Sequence, residues 1–169
     1  LLNDFIQFIV TKKFSLLSSD NKNELTKLFL NKFSNLTSLH YFWTDLKIND
    51  KVIIAKLKPD DDFYKNHIND IISIVSGNII ILSIDTDCSV NNTNDELMIK
   101  TEKDSLINLL IEYYWELDEI IIFDTLMNWF ICVNHNFEII IYTKFHYSEI
   151  LEKLERANKY GAIVRFIKK

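Results

Sequence analysis

The stretch ELDEIIIFDTLMNWFICVNHNFEIIIYTK, residues 116–144, constrains the fold more than any other part of the chain. It contains three runs rich in β-branched and aromatic residues, 119–123, 128–133 and 137–142, parted by short breaks at 124–127 and 134–136. Breaks this short join antiparallel strands, because parallel neighbours need a crossover of a dozen residues or more. In the second run Trp129, Ile131 and Val133 face one way and Asn128, Phe130 and Cys132 the other. In the third, Phe137, Ile139 and Ile141 oppose Glu138, Ile140 and Tyr142. Neither face is polar throughout, so the meander is expected to carry helices on one side and partial cover on the other.

The flanking sequence supplies those helices. Residues 3–14 put Phe5, Ile6, Ile9 and Val10 on one helical face. After Ser18, a second periodic run turns Leu25, Leu28, Phe29 and Phe33 inward and Lys22, Lys27 and Lys32 outward. The pair is expected to form a helical hairpin over one face of the sheet. Residues 39–47 read as a strand or an irregular turn, and 51–57 as a strand stopped by Pro59. Asp60, Asp61 and Asp62 suit the N-terminus of a helix that carries Phe63, Ile68, Ile71, Ile72 and Val75 inward and ends at Gly77. A buried strand at 78–84 follows, and the 51–84 unit is long enough for a parallel crossover. Beyond an exposed loop at 85–95 come a short edge strand at 96–100 and a helix at 103–114 burying Leu106, Leu109, Leu110 and Tyr113. A last helix at 148–160 turns Ile150, Leu151 and Leu154 inward, ends at Gly161 and leads into a terminal strand at 162–167. The expected fold is a single α+β domain over 1–169, with a mostly antiparallel sheet centred on 119–142 and about five flanking helices.

Composition narrows the function. The formal net charge is −5, which repels phosphate backbones, argues against nucleic-acid binding and suits a basic protein partner. Glycine (2) and proline (1) are scarce while Ile, Asn and Lys abound, a bias expected of an AT-rich coding genome. Cys88 and Cys132 make neither a disulfide framework nor a CxxC metal pair, and the expected compartment is the reducing cytoplasm. No apolar run approaches the ~20 residues of a membrane span, and the N-terminal segment lacks the basic region of a signal peptide.

No pattern assembles a catalytic set, and no cofactor or metal is expected. Asp85 and Asp87 follow an apolar strand, where α/β enzymes mount carboxylates, but no phosphate loop accompanies them. The alternative they support is a metal-dependent hydrolase with Asp85, Asp87 and Asp124 as ligands. Pro59–Asp62 with Glu138 and Lys144 lacks nuclease spacing, and His40, His67, His135 and His146 show no HxH or HExxH motif. Two aromatic triplets carry more weight: Tyr41, Phe42, Trp43 and Tyr113, Tyr114, Trp115. Neither a helix nor a strand can point three consecutive side chains into one core, so a ring of each triplet should reach the surface. Glu112, Glu116, Asp118 and Glu119 lie alongside the second triplet. Large rings beside carboxylates suit a protein-docking face, and the competing reading is a second small core over the sheet edge.

The block Ile122-Phe123-Asp124, Asn128-Trp129, Asn134-His135, Glu138-Ile139-Ile140-Ile141 resembles the central sheet of small bacterial immunity proteins, the antitoxins encoded beside polymorphic or contact-dependent toxins. The resemblance implies a non-enzymatic inhibitor that occludes the active site of a cognate, basic toxin. The residues expected to meet that partner are Trp43, Tyr114, Trp115, Glu116 and Asp118, with Asp85 and Asp87 as a secondary acidic patch. A third alternative is a structural or host-interaction protein of an AT-rich virus or parasite.

Overall fold

The computed structural model describes residues 7–9, 11, 14–47, 51–58, 67–77, 79–84, 97–113, 119–161 and 163–168. The elements are β1 (Ser15–Leu16), α1 (Ser19–Phe33), a 3-10 turn (Phe42–Asp45), β2 (Val52–Leu57), α2 (Asn69–Ile74), β3 (Ile79–Ile84) and β4 (Leu97–Glu102). They continue as α3 (Lys103–Tyr113), β5 (Ile120–Asp124), β6 (Trp129–Val133), β7 (Glu138–Thr143), α4 (Tyr147–Lys159) and β8 (Ile163–Lys168). Among the described residues eight strands join one sheet in the order β1-β4-β3-β5-β6-β7-β2-β8, antiparallel at every pairing. The fold is α+β, and the β5–β6–β7 meander lies at its centre as the short breaks require.

Alternation along each strand divides the core between two faces. One face carries a row of β-branched and leucine side chains across six strands: Ile53, Ile141, Ile131, Ile122, Leu82 and Ile99. Ile71 and Ile72 of α2, Leu106, Leu109 and Leu110 of α3, and Ile150, Leu154 and Ala157 of α4 cover it. The other face is aromatic. Phe29 and Phe33 of α1 pack with Phe42 against Phe123 and Phe130. Among the described residues no helix is long and apolar enough to cross a membrane.

Four expectations are corrected. Strands β2 and β3 do point the same way, but β5, β6 and β7 lie between them, so the 51–84 unit is no adjacent parallel crossover. The first two helical segments do not form a hairpin over one face, since Ile9 packs into the core beneath α2–α4 while α1 covers the opposite face. Within α1, Leu28 is half exposed and Leu30 is buried, because the helix rests on the sheet along the line Phe29–Leu30–Phe33. Strand β4 is not the edge, because β1 pairs outside it at Ile99 and Lys100.

Local chemistry sets the ends of these elements. The Ser18 hydroxyl caps α1 by accepting from the Asn21 N–H at 3.4 Å. Gly77 (φ +97) and Gly161 (φ +78) take the left-handed backbone expected where helical segments end. With few glycines available, both meander turns put a larger residue in that region, Met127 (φ 55) and Phe137 (φ 57). Such a residue costs roughly 1–2 kcal/mol, which side-chain hydrogen bonds of Asp124 and Asn134 offset. Asp124 Oδ1 accepts from the Asn128 and Trp129 N–H groups at 2.6 and 3.2 Å, and Asn134 Oδ1 from those of Asn136 and Glu138, both at 3.0 Å.

Candidate functional site

Strand register gathers several candidate segments at one end of the sheet. Ile84 of β3 pairs with Ile120 of β5, Ile120 with Val133 of β6, and Val133 with Ile139 of β7. One residue further out on the aromatic face the apolar rows stop, and Glu119, Asn134, Glu138 and Lys56 form a polar rim. The turn containing Phe42–Asp45 lies over it. Phe42 is fully buried among Phe29, Phe130 and Trp43, and its burial leaves Trp43 half-buried and Tyr41 exposed at 43%. The first triplet therefore splits as the geometry of consecutive side chains demands, with Tyr41 in the left-handed region (φ 59).

Two imidazoles that touch these rings flank the carboxylate of Glu119, which is only 6% exposed. His40 Nδ1 stands 3.8 Å from its Oε2, and His135 Nδ1 stands 3.6 Å from its Oε1. At those separations the contacts are electrostatic rather than hydrogen bonds. The imidazoles are half exposed, at 49% and 42%, and form the outer wall of the cluster. Tyr41 and Trp43 lie 5.6 Å apart at 64°, Tyr41 and His135 5.5 Å apart at 85°, and Trp43 and His135 6.3 Å apart at 65°. Three rings thus meet at steep mutual angles, and one of them, His135, stands beside the buried carboxylate.

Cys132 lies on the same face of the sheet, inward of this rim. It is buried between Ile121 and Ile140 in the sheet, and its thiol is raised well above the ordinary range, first by burial and then by the nearby Glu119 and Glu138 carboxylates. The folded chain therefore holds this proton to higher pH than the unfolded chain, whose thiol ionises near 8.5. Above about pH 8.5 the unfolded state binds fewer protons, so this group's contribution falls as pH rises, by up to about 1.4 kcal/mol per unit. Urea midpoints at about pH 7.5 and about pH 9.5 should fall further for the native chain than for Cys132→Ala, the difference approaching about 1.4 kcal/mol. Equal falls would show that the thiol does not feel this environment.

Of the residues expected at a partner surface, Trp43 lies in the cluster. Tyr114, Trp115, Glu116, Asp118, Asp85 and Asp87 lie outside the described residues, as does Cys88. Asp124, a ligand in the hydrolase alternative, has its Oδ1 on the Asn128 and Trp129 N–H groups and its Oδ2 on the Asn128 side-chain amide at 3.0 Å. It is a hairpin cap at the opposite end of the sheet from Glu119. Among the described residues no group of three His, Cys, Asp or Glu side chains is placed to hold a metal.

Sequence reasoning assigns no role to His40 and His135, and the structure brings both to Glu119. For His135 a signal was present: pairing the first two meander strands puts Glu119 beside the 134–136 turn. For His40 there was none, because its approach depends on how the 39–47 turn crosses the sheet. Comparison of the chain with protein-family models, curated proteins and solved structures gives no match.

Proposed function

We propose that this chain is a non-catalytic protein-binding inhibitor, an immunity protein that acts in the cytoplasm by covering the active site of a basic cognate toxin. The observation that carries the reading is the exposed Tyr41 and half-buried Trp43 packed on the His40 and His135 imidazoles that flank the buried Glu119 carboxylate. Rings of this kind in a partly desolvated setting dominate protein interfaces, and a negative field speeds encounter with a positive partner. The overall charge of −5 has the same sign.

Co-expression with the product of the adjacent gene, followed by affinity purification and a growth assay, tests the proposal. The expected result is a stable complex with a basic protein and relief of that protein's toxicity. Replacing both rings, Tyr41→Ala with Trp43→Ala, should weaken the complex by about a hundredfold, roughly 3 kcal/mol over two interface anchors. Absence of a complex, or a complex indifferent to the double substitution, would count against this reading.

A further inference from the structure

We infer that Ser34 is a positioning residue for the surface that carries Tyr41 and Trp43: its buried hydroxyl fixes the 41–45 backbone, so both rings are held in place before a partner arrives. The consequence for binding rests on the protein-binding reading, whereas the fixed turn stands on its own hydrogen bonds. Ser34 follows α1 with extended backbone (φ −137, ψ 152) and is only 1% exposed. Its proton is shared between the carbonyls of Phe42 at 2.9 Å and Asp45 at 3.1 Å, the first and last residues of the 3-10 turn. Its oxygen accepts from the Leu36 N–H at 3.1 Å. A hydroxyl has one proton to donate and lone pairs to accept, and here both capacities are used. The preceding carbonyl, that of Tyr41, accepts from the Thr44 N–H and hydroxyl at 2.9 and 2.8 Å. Held peptide planes thus flank Phe42 on both sides, which keeps its ring in the core, Tyr41 exposed and Trp43 half-buried.

The same segment is tied to the end of α1 by the main chain. The Asn35 N–H donates to the Asp45 carbonyl at 3.0 Å and the Lys47 N–H to the Phe33 carbonyl at 2.9 Å. Those bonds need no particular side chain, whereas the link to Phe42 depends on a hydroxyl at position 34. In Ser34→Ala the Phe42 carbonyl and the Leu36 N–H lose this partner, and they reach water only if the turn moves outward, taking Tyr41 and Trp43 with it. A partner then meets its surface in only a fraction of the molecules, and its apparent affinity falls by that fraction. A turn fixed beforehand avoids the ordering cost.

The test is NMR relaxation and amide exchange on the full chain. In the native protein, backbone order parameters at residues 41–45 should lie near about 0.85, the value of rigid backbone. In Ser34→Ala they should fall, the Trp43 indole N–H should broaden, and the Asn35 and Lys47 amides should exchange roughly tenfold faster, the scale of one buried hydrogen bond. The Trp129 indole N–H, which donates to the Ser76 carbonyl at 2.7 Å on the other face, should not move and shows that the variant is folded. A role confined to overall stability would speed exchange throughout and leave the order of the folded turn unchanged. Asn35→Ala removes the exposed 2.9 Å bond to the Asp45 carboxylate and should alter exchange by no more than about twofold. Should Ser34→Ala lose its Trp129 signal, Ser34→Cys keeps the shape with a weaker donor and should show the same local loss of order. Low order parameters at 41–45 in the native chain, or an unchanged turn in the folded variant, overturns the inference. Against a protein captured by co-expression, Ser34→Ala should bind roughly tenfold more weakly although its side chain is buried. A partner that binds the folded variant as tightly as the native chain would overturn the positioning role while leaving the protein-binding reading intact. A rigid turn loosened by Ser34→Ala, with no protein captured, would do the reverse.

Discussion

Phe29→Ala is expected to destabilise the protein by about 4 kcal/mol, within the roughly 3–5 kcal/mol range for truncating a buried phenylalanine. Its ring lies 4.9 Å from those of Phe33 and Phe123, 5.1 Å from Phe42 and 5.5 Å from Phe130, so one truncation removes contacts to α1, the 3-10 turn and two central strands. All four neighbours are themselves fully buried, and little side-chain freedom remains to fill the space. For a chain of this size the loss lowers the thermal midpoint by roughly 10 °C. Phe29→Leu, which keeps most of the volume, should cost about 1–1.5 kcal/mol. Urea and thermal melts of the three proteins check this, and an alanine variant within about 1 kcal/mol of the native chain would show that the aromatic face is loosely packed. A consequence for the site follows from the Phe29–Phe42 contact. Phe42 anchors the turn that presents Tyr41 and Trp43, so Phe29→Ala should also broaden the NMR signals of those two rings.

Asp124→Ala should cost about 3 kcal/mol, and Asp124→Asn only about 1. The carboxylate is 4% exposed and accepts from two backbone N–H groups and one side-chain amide within the β5–β6 turn. Alanine leaves the Trp129 N–H buried without this acceptor and removes support for the left-handed Met127, whereas asparagine keeps one acceptor oxygen in place. Equilibrium unfolding of both variants gives the comparison. Equal midpoints for the alanine and asparagine variants would refute the capping role. The graded result would mark Asp124 as a folding residue, consistent with its distance along the strand from Glu119. Lys32 adds to the same corner by donating to the Met127 carbonyl at 2.5 Å, which ties α1 to the turn.

Local pattern by itself located strands β2 to β8 and helices α1 to α4 and set which way most side chains face, but it left β1 unmarked and the 39–47 segment open. Period-two alternation and the breaks at 124–127 and 134–136 define β5, β6 and β7 and their antiparallel pairing, because a two-to-four-residue connection permits little else. Helical periodicity likewise picks out Leu106, Leu109 and Leu110, and Ile150 with Leu154, as buried. The aromatic triplet 41–43 announced that a ring must be exposed, for reasons of backbone geometry alone.

Only the tertiary structure decided where those pieces meet. Placing β2 beyond β7, and β3 beside β5, depends on pairings between residues far apart in the chain, which no local period encodes. The faces taken by Ile9 and α1 were open for the same reason: an apolar stripe specifies burial but not which side of the sheet provides it. The convergence of His40, Tyr41, Trp43, Glu119 and His135 is likewise a product of strand register and of one turn crossing the sheet end. Side-chain periodicity fixes orientation about a local axis, whereas a site made from three distant segments requires their relative positions in space.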